Sequence, residues 1–168
     1  KSFAEEITGF EIPRERRLIG WTSAHKSYSA KDVLNNEVDL NEFKDKIVLI
    51  TGAAGSIGSE LSRQAAKFKP SLLILLDQDE TGIFSIAGII KDKFDSLKIQ
   101  PLVSDITDKE NIQSVFTEYK PEIVFHAAAY KHVPLMEAQP DEAVKNNIFG
   151  TKILIQASID NNVEKFIF

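Results

Sequence analysis

The chain has 168 residues, 43% of them hydrophobic and 27% charged, with 20 basic against 25 acidic side chains for a net charge of −5. A chain this long buries roughly 70% of its unfolded surface and holds one core without staples, and with no cysteine it has neither disulfides nor thiolate chemistry. The acidic balance argues against a nucleic-acid face. The longest uncharged stretch, Ile47 to Ser59, contains three glycines and falls short of the roughly 18 apolar residues of a spanning helix, so no membrane contact and no targeting signal are expected from this segment.

Residues 1–45 read as a lead-in of mixed charge. Pro13 and the run Arg14 to Arg17 mark a solvated stretch, Trp21 is a surface or interdomain residue, and Tyr28 to Leu40 holds a short helix capped by Ser29. From Lys46 to Phe168 the pattern is regular. Short apolar runs at Ile47–Ile50, Leu72–Leu76, Ile99–Val103, Ile123–Phe125 and Phe166–Phe168 alternate with helical segments at Ser59–Lys67, Glu80–Phe94, Lys109–Tyr119 and about Asp141–Asn161. Continuous apolar strands joined by helices predict an α/β fold, an open, doubly wound parallel sheet with its crevice at the carboxyl ends of the strands. The first residue is Lys1, and the last apolar run stops before any turn signal. We therefore expect a piece of a longer protein, ending at the fifth strand.

The chemistry is carried by four turns. After the first strand, Gly52, Gly55 and Gly58 are spaced Gly-x-x-Gly-x-x-Gly and lead into a helix. Glycine there allows a tight turn, a close backbone approach by a pyrophosphate and close helix–strand packing, while Ser56 and Ile57 lead to a helix N-terminus that offers unpaired N–H groups to the phosphates. Asp77 ends the second strand 19 residues after Gly58, near the spacing of an acid that binds the adenosine ribose. A carboxylate there accepts bonds from both ribose hydroxyls and repels a 2′-phosphate. With Gln78 following and no Lys or Arg nearby, it favours NAD over NADP; a turn or cap role is the plainer alternative.

After the third strand, Asp105 is positioned to reach an adenine amino group and Ile106 to pack on the ring, while Asp108 suits a helix cap. The fourth strand runs into His126, Ala127, Ala128, Ala129, Tyr130, Lys131 and His132. His126 reads as a hydrogen-bonded core histidine, the three alanines leave room for a cofactor, and Lys131 and His132 face either the substrate side or solvent. Asn147, a polar residue in mid-helix, is expected to spend its amide on the floor of the site, with Gly150 allowing close packing. Three scattered histidines give no metal site.

These residues resemble a known family. Thr51 to Gly58 looks like the cofactor signature of the extended short-chain dehydrogenases/reductases. The stretch Gly55 to Leu61, Asp105 to Asp108, His126 to Glu137 and Asn146 to Thr151 together are similar to the nucleotide-sugar 4,6-dehydratases of the CapD-like polysaccharide biosynthesis branch. The resemblance implies a Rossmann-like domain of a bacterial lyase acting on a UDP-linked N-acetylhexosamine. In such enzymes NAD takes hydride from C4, the 6-hydroxyl is lost after C5 deprotonation, and hydride returns to C6 to leave a 4-keto-6-deoxy sugar.

The family's acid–base residues lie in a Thr-Asp-Lys motif after the fifth strand, so the resemblance places no catalytic residue in this chain and implies that it binds NAD but is inactive alone. It further implies a cytoplasmic parent, homo-oligomeric or anchored at the cytoplasmic face of the inner membrane. Another extended dehydrogenase, such as an epimerase or keto-reductase, or a non-catalytic NAD-sensing module, would share the same first half.

Overall fold

In the computed structural model, residues 43–168 are described. Residues 1–42 of the lead-in, with Trp21, the arginines and the expected Tyr28–Leu40 helix, lie outside them, whereas Phe43, expected in the solvated lead-in, is part of the core. Five parallel strands, β1 (Ile47–Thr51), β2 (Leu72–Asp77), β3 (Ile99–Val103), β4 (Ile123–His126) and β5 (Lys165–Ile167), form one sheet in the order β3-β2-β1-β4-β5. Each lies within two residues of its expected range. The helices between them are α1 (Ser56–Lys67), α2 (Glu80–Lys93), α3 (Lys109–Tyr119), α4 (Val133–Ala138), α5 (Pro140–Val144) and α6 (Thr151–Asp160), with a π-helical turn, Lys145–Gly150, between α5 and α6.

Strand alternation divides the apolar residues into two layers. Val48, Ile50, Leu73, Leu75, Ile123 and Phe125 face α1 and α2, where they meet Ala65, Ala66, Ile83, Ile86 and Ile90. Leu49, Ile74, Leu76 and Val124 face α3 and α6, against Ile112, Phe116, Leu154 and Ala157. Phe43 is 2% exposed and lies with its ring 5.7 Å from those of both Phe68 and Phe125. Because both faces are covered, the strands carry no polar stripe.

At the amino end of the sheet, Lys46 Nζ donates to Glu122 at 2.7 Å and to Glu164 at 2.8 Å, and Ile47 N donates to Glu122 Oε2 at 2.9 Å. These bonds join the starts of β1, β4 and β5. Partial burial works against the ionised Glu122, but the hydrogen bonds from Lys46 and Ile47 outweigh it and hold the carboxyl below its usual range, while the two glutamates raise Lys46.

Two expectations change. Helix α1 begins three residues earlier than Ser59, inside the glycine segment. The expected long helix runs from Pro140 to Asp160 but opens into a π turn at Lys145–Gly150, and α4 precedes it. No helix among the described residues is long and apolar enough to cross a membrane.

Candidate functional site

β1 pairs with β2 on one side and β4 on the other, so the connections leave the sheet in opposite directions beside it and open a crevice at its carboxyl end. The glycine turn crosses this crevice. Gly52 has φ +69°, and a Cβ on it would lie 2.6 Å from the backbone of Ala127 and Ala128. A Cβ on Gly58 would run into the Gly52 carbonyl. No other residue fits either position, and the result is that the first turn of α1 sits directly over the strand ends. Gly55 is the N-cap of α1, with no side-chain cap and no acid in the first turn, so the N–H groups of Ser56, Ile57 and Gly58 carry the helix's partial positive charge without an internal anion. Gly55, Ser56 and Ile57 are exposed. The helices after β2 and β3 differ: Asp79 caps α2 by accepting from Gly82 N at 3.1 Å, and Asp108 caps α3 by accepting from Asn111 N at 3.1 Å.

Asp77 stands opposite. Its Oδ2 accepts from Ala54 N at 3.0 Å and its Oδ1 from Asp79 N at 3.1 Å, so the carboxylate fixes the glycine turn and the start of α2 together. A carboxylate has about four acceptor positions, which leaves two for a ligand. Asp77, Gln78, Asp105 and Ile106 line one cleft with Gly52, Gly55 and Ala127–Ala129. Asp105 Oδ1 accepts from Thr107 N at 2.8 Å, and Ile106 packs where a Cβ on Gly150 would lie 2.7 Å from its side chain.

The other wall is the strap after β4. Asn147 holds it as a neighbouring strand would: its Oδ1 accepts from Tyr130 N and its Nδ2 donates to Tyr130 O, both at 2.8 Å. Its amide is therefore used within the protein, and it is Asn146 that lines the cleft, donating to Asn147 Oδ1 at 2.9 Å. Lys131 Nζ donates to Ser56 Oγ at 3.0 Å, while His132 is exposed and begins α4. Lys131 thus turns towards the glycine loop.

His126 is 8% exposed. Its Nδ1 is 2.7 Å from Thr51 Oγ1 and its Nε2 is 2.8 Å from Thr151 Oγ1, which donates its own proton to Asn147 O at 2.7 Å. Thr151 can then only accept from the ring, so Nε2 carries the proton and Nδ1 accepts from Thr51. This neutral, oriented imidazole ties the ends of β1 and β4 to the π turn. Burial pushes its pKa down to about 4, and the rings of Phe166 and Phe168 lie 6.0 and 5.6 Å away.

Three cleft residues are not singled out by sequence: Ser104, Tyr130 and Asn146. Ser104 is buried and accepts from Asn111 Nδ2 at 2.9 Å, a pairing with no sequence signal. Tyr130 directly follows the three alanines, and a large ring beside small residues was the available clue. Among the described residues no group of His, Asp and Glu is arranged to hold a metal.

The dinucleotide-type cleft agrees with what the chain is similar to. It is 41% identical over 150 residues to the capsular polysaccharide biosynthesis protein CapD of Staphylococcus aureus, covering 84% of this chain and 25% of that protein. It is 34% identical over 126 residues to the inverting UDP-N-acetylglucosamine 4,6-dehydratase of Campylobacter jejuni, covering 74% of this chain and 36% of that one. The chain thus spans about a quarter to a third of the length of these relatives.

Among solved structures, Pen from Bacillus thuringiensis matches with TM-score 0.69 and 36% identity over 75% of this chain and 38% of that chain. The Thermus thermophilus UDP-glucose 4-epimerase in complex with NAD matches with TM-score 0.59 and 29% identity, over 72% of this chain and 36% of that one. The fold is that of the short-chain dehydrogenase-like epimerases and dehydratases. Residues 48–168 match the family model described as "Polysaccharide biosynthesis protein", and the chain belongs to that family.

Proposed function

We propose that this chain is the NAD-binding part of a nucleotide-sugar 4,6-dehydratase that converts a UDP-N-acetylhexosamine to its 4-keto-6-deoxy derivative with loss of water. The observation that carries the cofactor half of this reading is the uncapped start of α1 beneath a glycine turn that admits no Cβ, facing the half-used carboxylate of Asp77. The cradle fits a pyrophosphate at Gly55, Ser56, Ile57 and Gly58, and the two remaining acceptor positions of Asp77 fit a ribose diol. Bound NAD supplies a reversible hydride acceptor.

This chain's own residues bind and orient. Asp77 and Gln78 hold the ribose and disfavour a 2′-phosphate, Asp105 and Ile106 take the adenine, and Ala127, Ala128 and Ala129 leave the width the cofactor needs. Asn147 acts through Tyr130, as a positioning residue. Lys131, His132 and the surface beyond them meet the UDP-sugar. The parent works on the cytoplasmic side, and its acid–base residues lie outside this chain. The dehydratase assignment is supported by the C. jejuni relative. A second reading, a 4-epimerase, is favoured by the T. thermophilus structure.

Calorimetric titration tests the cofactor half: NAD binds more tightly than NADP, and Asp77→Asn, whose single amide oxygen keeps one of the two backbone bonds while the charge is removed, abolishes that preference. Equal affinities in the unsubstituted chain refute it. Incubating the intact parent with UDP-N-acetylglucosamine separates the two reactions, because a dehydratase product is lighter by one water and an epimerase product has unchanged mass.

A further inference from the structure

Two side chains from opposite walls of the cleft meet across it. Gln78 leaves the end of β2, Tyr130 sits on the strap after β4, and Gln78 Nε2 donates to Tyr130 Oη at 3.0 Å across 52 residues of sequence. Both line the cleft. They differ in how they are held. The Tyr130 main chain is fixed at both N and O by Asn147, which the π turn and Asn146 hold in place, so the strap backbone does not swing. Gln78 is exposed and its side chain bonds to Tyr130, and that side chain is the part free to rotate. A second bond, from Lys131 to Ser56 Oγ, ties the same strap to the glycine loop.

We infer that the Gln78–Tyr130 bond is a clasp over the dinucleotide cleft that sets the rate at which cofactor enters and leaves. This rests on the NAD reading of the cleft. A cofactor that ends each turnover in its starting oxidation state has no need to exchange, and a clasp keeps it in place. A gate of this kind slows both directions by the same factor, because entry and exit each wait for the bond to open, and it leaves the equilibrium affinity unchanged. A direct ligand would instead change the release rate and the affinity together. The two roles have different kinetic signatures.

The test uses NADH fluorescence in rapid mixing, with association followed directly and release followed by chasing bound NADH with excess NAD. Tyr130→Phe keeps the ring and removes the hydroxyl. It should speed both association and release about three- to tenfold, the effect of losing one net hydrogen bond, with the dissociation constant within about twofold of the unsubstituted chain. Gln78→Ala also removes the ribose contact given to Gln78 and so weakens affinity, but its association should speed up by the same factor as in Tyr130→Phe, and adding Tyr130→Phe to it should give no further acceleration of association, since both remove the same bond.

Faster release with unchanged association identifies the Tyr130 hydroxyl as a ligand and overturns the clasp. Unchanged rates in both single variants, or additive acceleration in the double variant, also overturn it. If the unsubstituted chain unfolds cooperatively yet binds no NADH, the NAD reading falls and the clasp falls with it, an outcome distinct from binding with unaltered rates.

Discussion

The helices that follow β1, β2 and β3 start in two ways. Helices α2 and α3 carry their own anion, the carboxylates of Asp79 and Asp108, each bonded to a backbone N–H in the first turn. Helix α1 starts at Gly55 with no cap and no acid. The physical requirement is the same at all three, since each helix leaves N–H groups unpaired and a partial positive charge to satisfy. The difference teaches which end is finished by the chain and which is left for a ligand. It also explains the glycines: a bare helix start stabilises a phosphate only where the phosphate can come up to backbone, and side chains at 52 or 58 would hold the elements apart.

The comparison can be broken most severely at the close approach itself. Gly58→Ala drives a methyl group into the Gly52 carbonyl and should cost about 3 kcal/mol of stability and abolish dinucleotide binding, as measured by urea unfolding and calorimetry. An unfolding midpoint equal to that of the unsubstituted chain would show that α1 does not need this approach.

Nearly as large is the effect of acid on the neutral imidazole that ties β1 and β4 together behind the turn. His126 titrates at about 4 in the fold and 6.5 as its ordinary value. Between those values the unfolded chain binds the proton and the folded chain does not, so the stability contributed by the neutral ring is complete above pH 6.5 and lost as the pH falls to 4. The loss is about 3 kcal/mol. Unfolding free energy measured from pH 7 to 4 should show this slope, and His126→Gln should remove it.

Giving α1 the same kind of start as its neighbours sharpens the comparison. Gly55 has ordinary extended backbone, φ −69° and ψ 167°, and a Cβ there would stand 3.3 Å from the Gly52 carbonyl, so Gly55→Asp needs only a small shift of the turn. It should stabilise the chain by about 0.5 kcal/mol and weaken NAD binding on the order of a hundredfold, because a carboxylate then occupies the place of the phosphate. A variant that is stabilised and still binds NAD normally would separate the helix start from the cofactor site. The smallest effects belong to the capped helices: Asp79→Ala and Asp108→Ala should each cost about 1 kcal/mol in thermal or urea unfolding and leave NAD affinity within about twofold.

Much of this was legible from sequence for identifiable reasons. The strands are apolar runs between turn residues, α3 is bounded by a capping aspartate and the left-handed Lys120, and each lies where pattern alone puts it. The start of α1 was not legible, because Gly55, Ser56 and Gly58 have poor helix propensity and the turn is held by docking on β1. The π turn was not legible either. Asn147, as a polar residue inside one continuous helix, was expected to serve the floor of the site. The wider turn lets Asn147 hold the strap while Asn146 lines the cleft. Lys131 was assigned by its place in a loop, and only its bond to Ser56 reveals that it turns towards the glycine segment.

The strand order has a consequence for synthesis. Among the described residues β1 is the first strand made and the middle one of five, and its two neighbours emerge at very different times. The β1-α1-β2 unit can assemble soon after it leaves the ribosome, whereas Thr51 waits 75 residues for His126. Until then one hydrogen-bonding edge of β1, flanked by Val48, Leu49 and Ile50, is unpaired and prone to the wrong partner. Gly52, packed against Ala127 in the finished fold, has nothing to rest on. Half of the cleft's wall therefore arrives late, and a nascent chain paused before β4 has a glycine turn but no place to keep a cofactor.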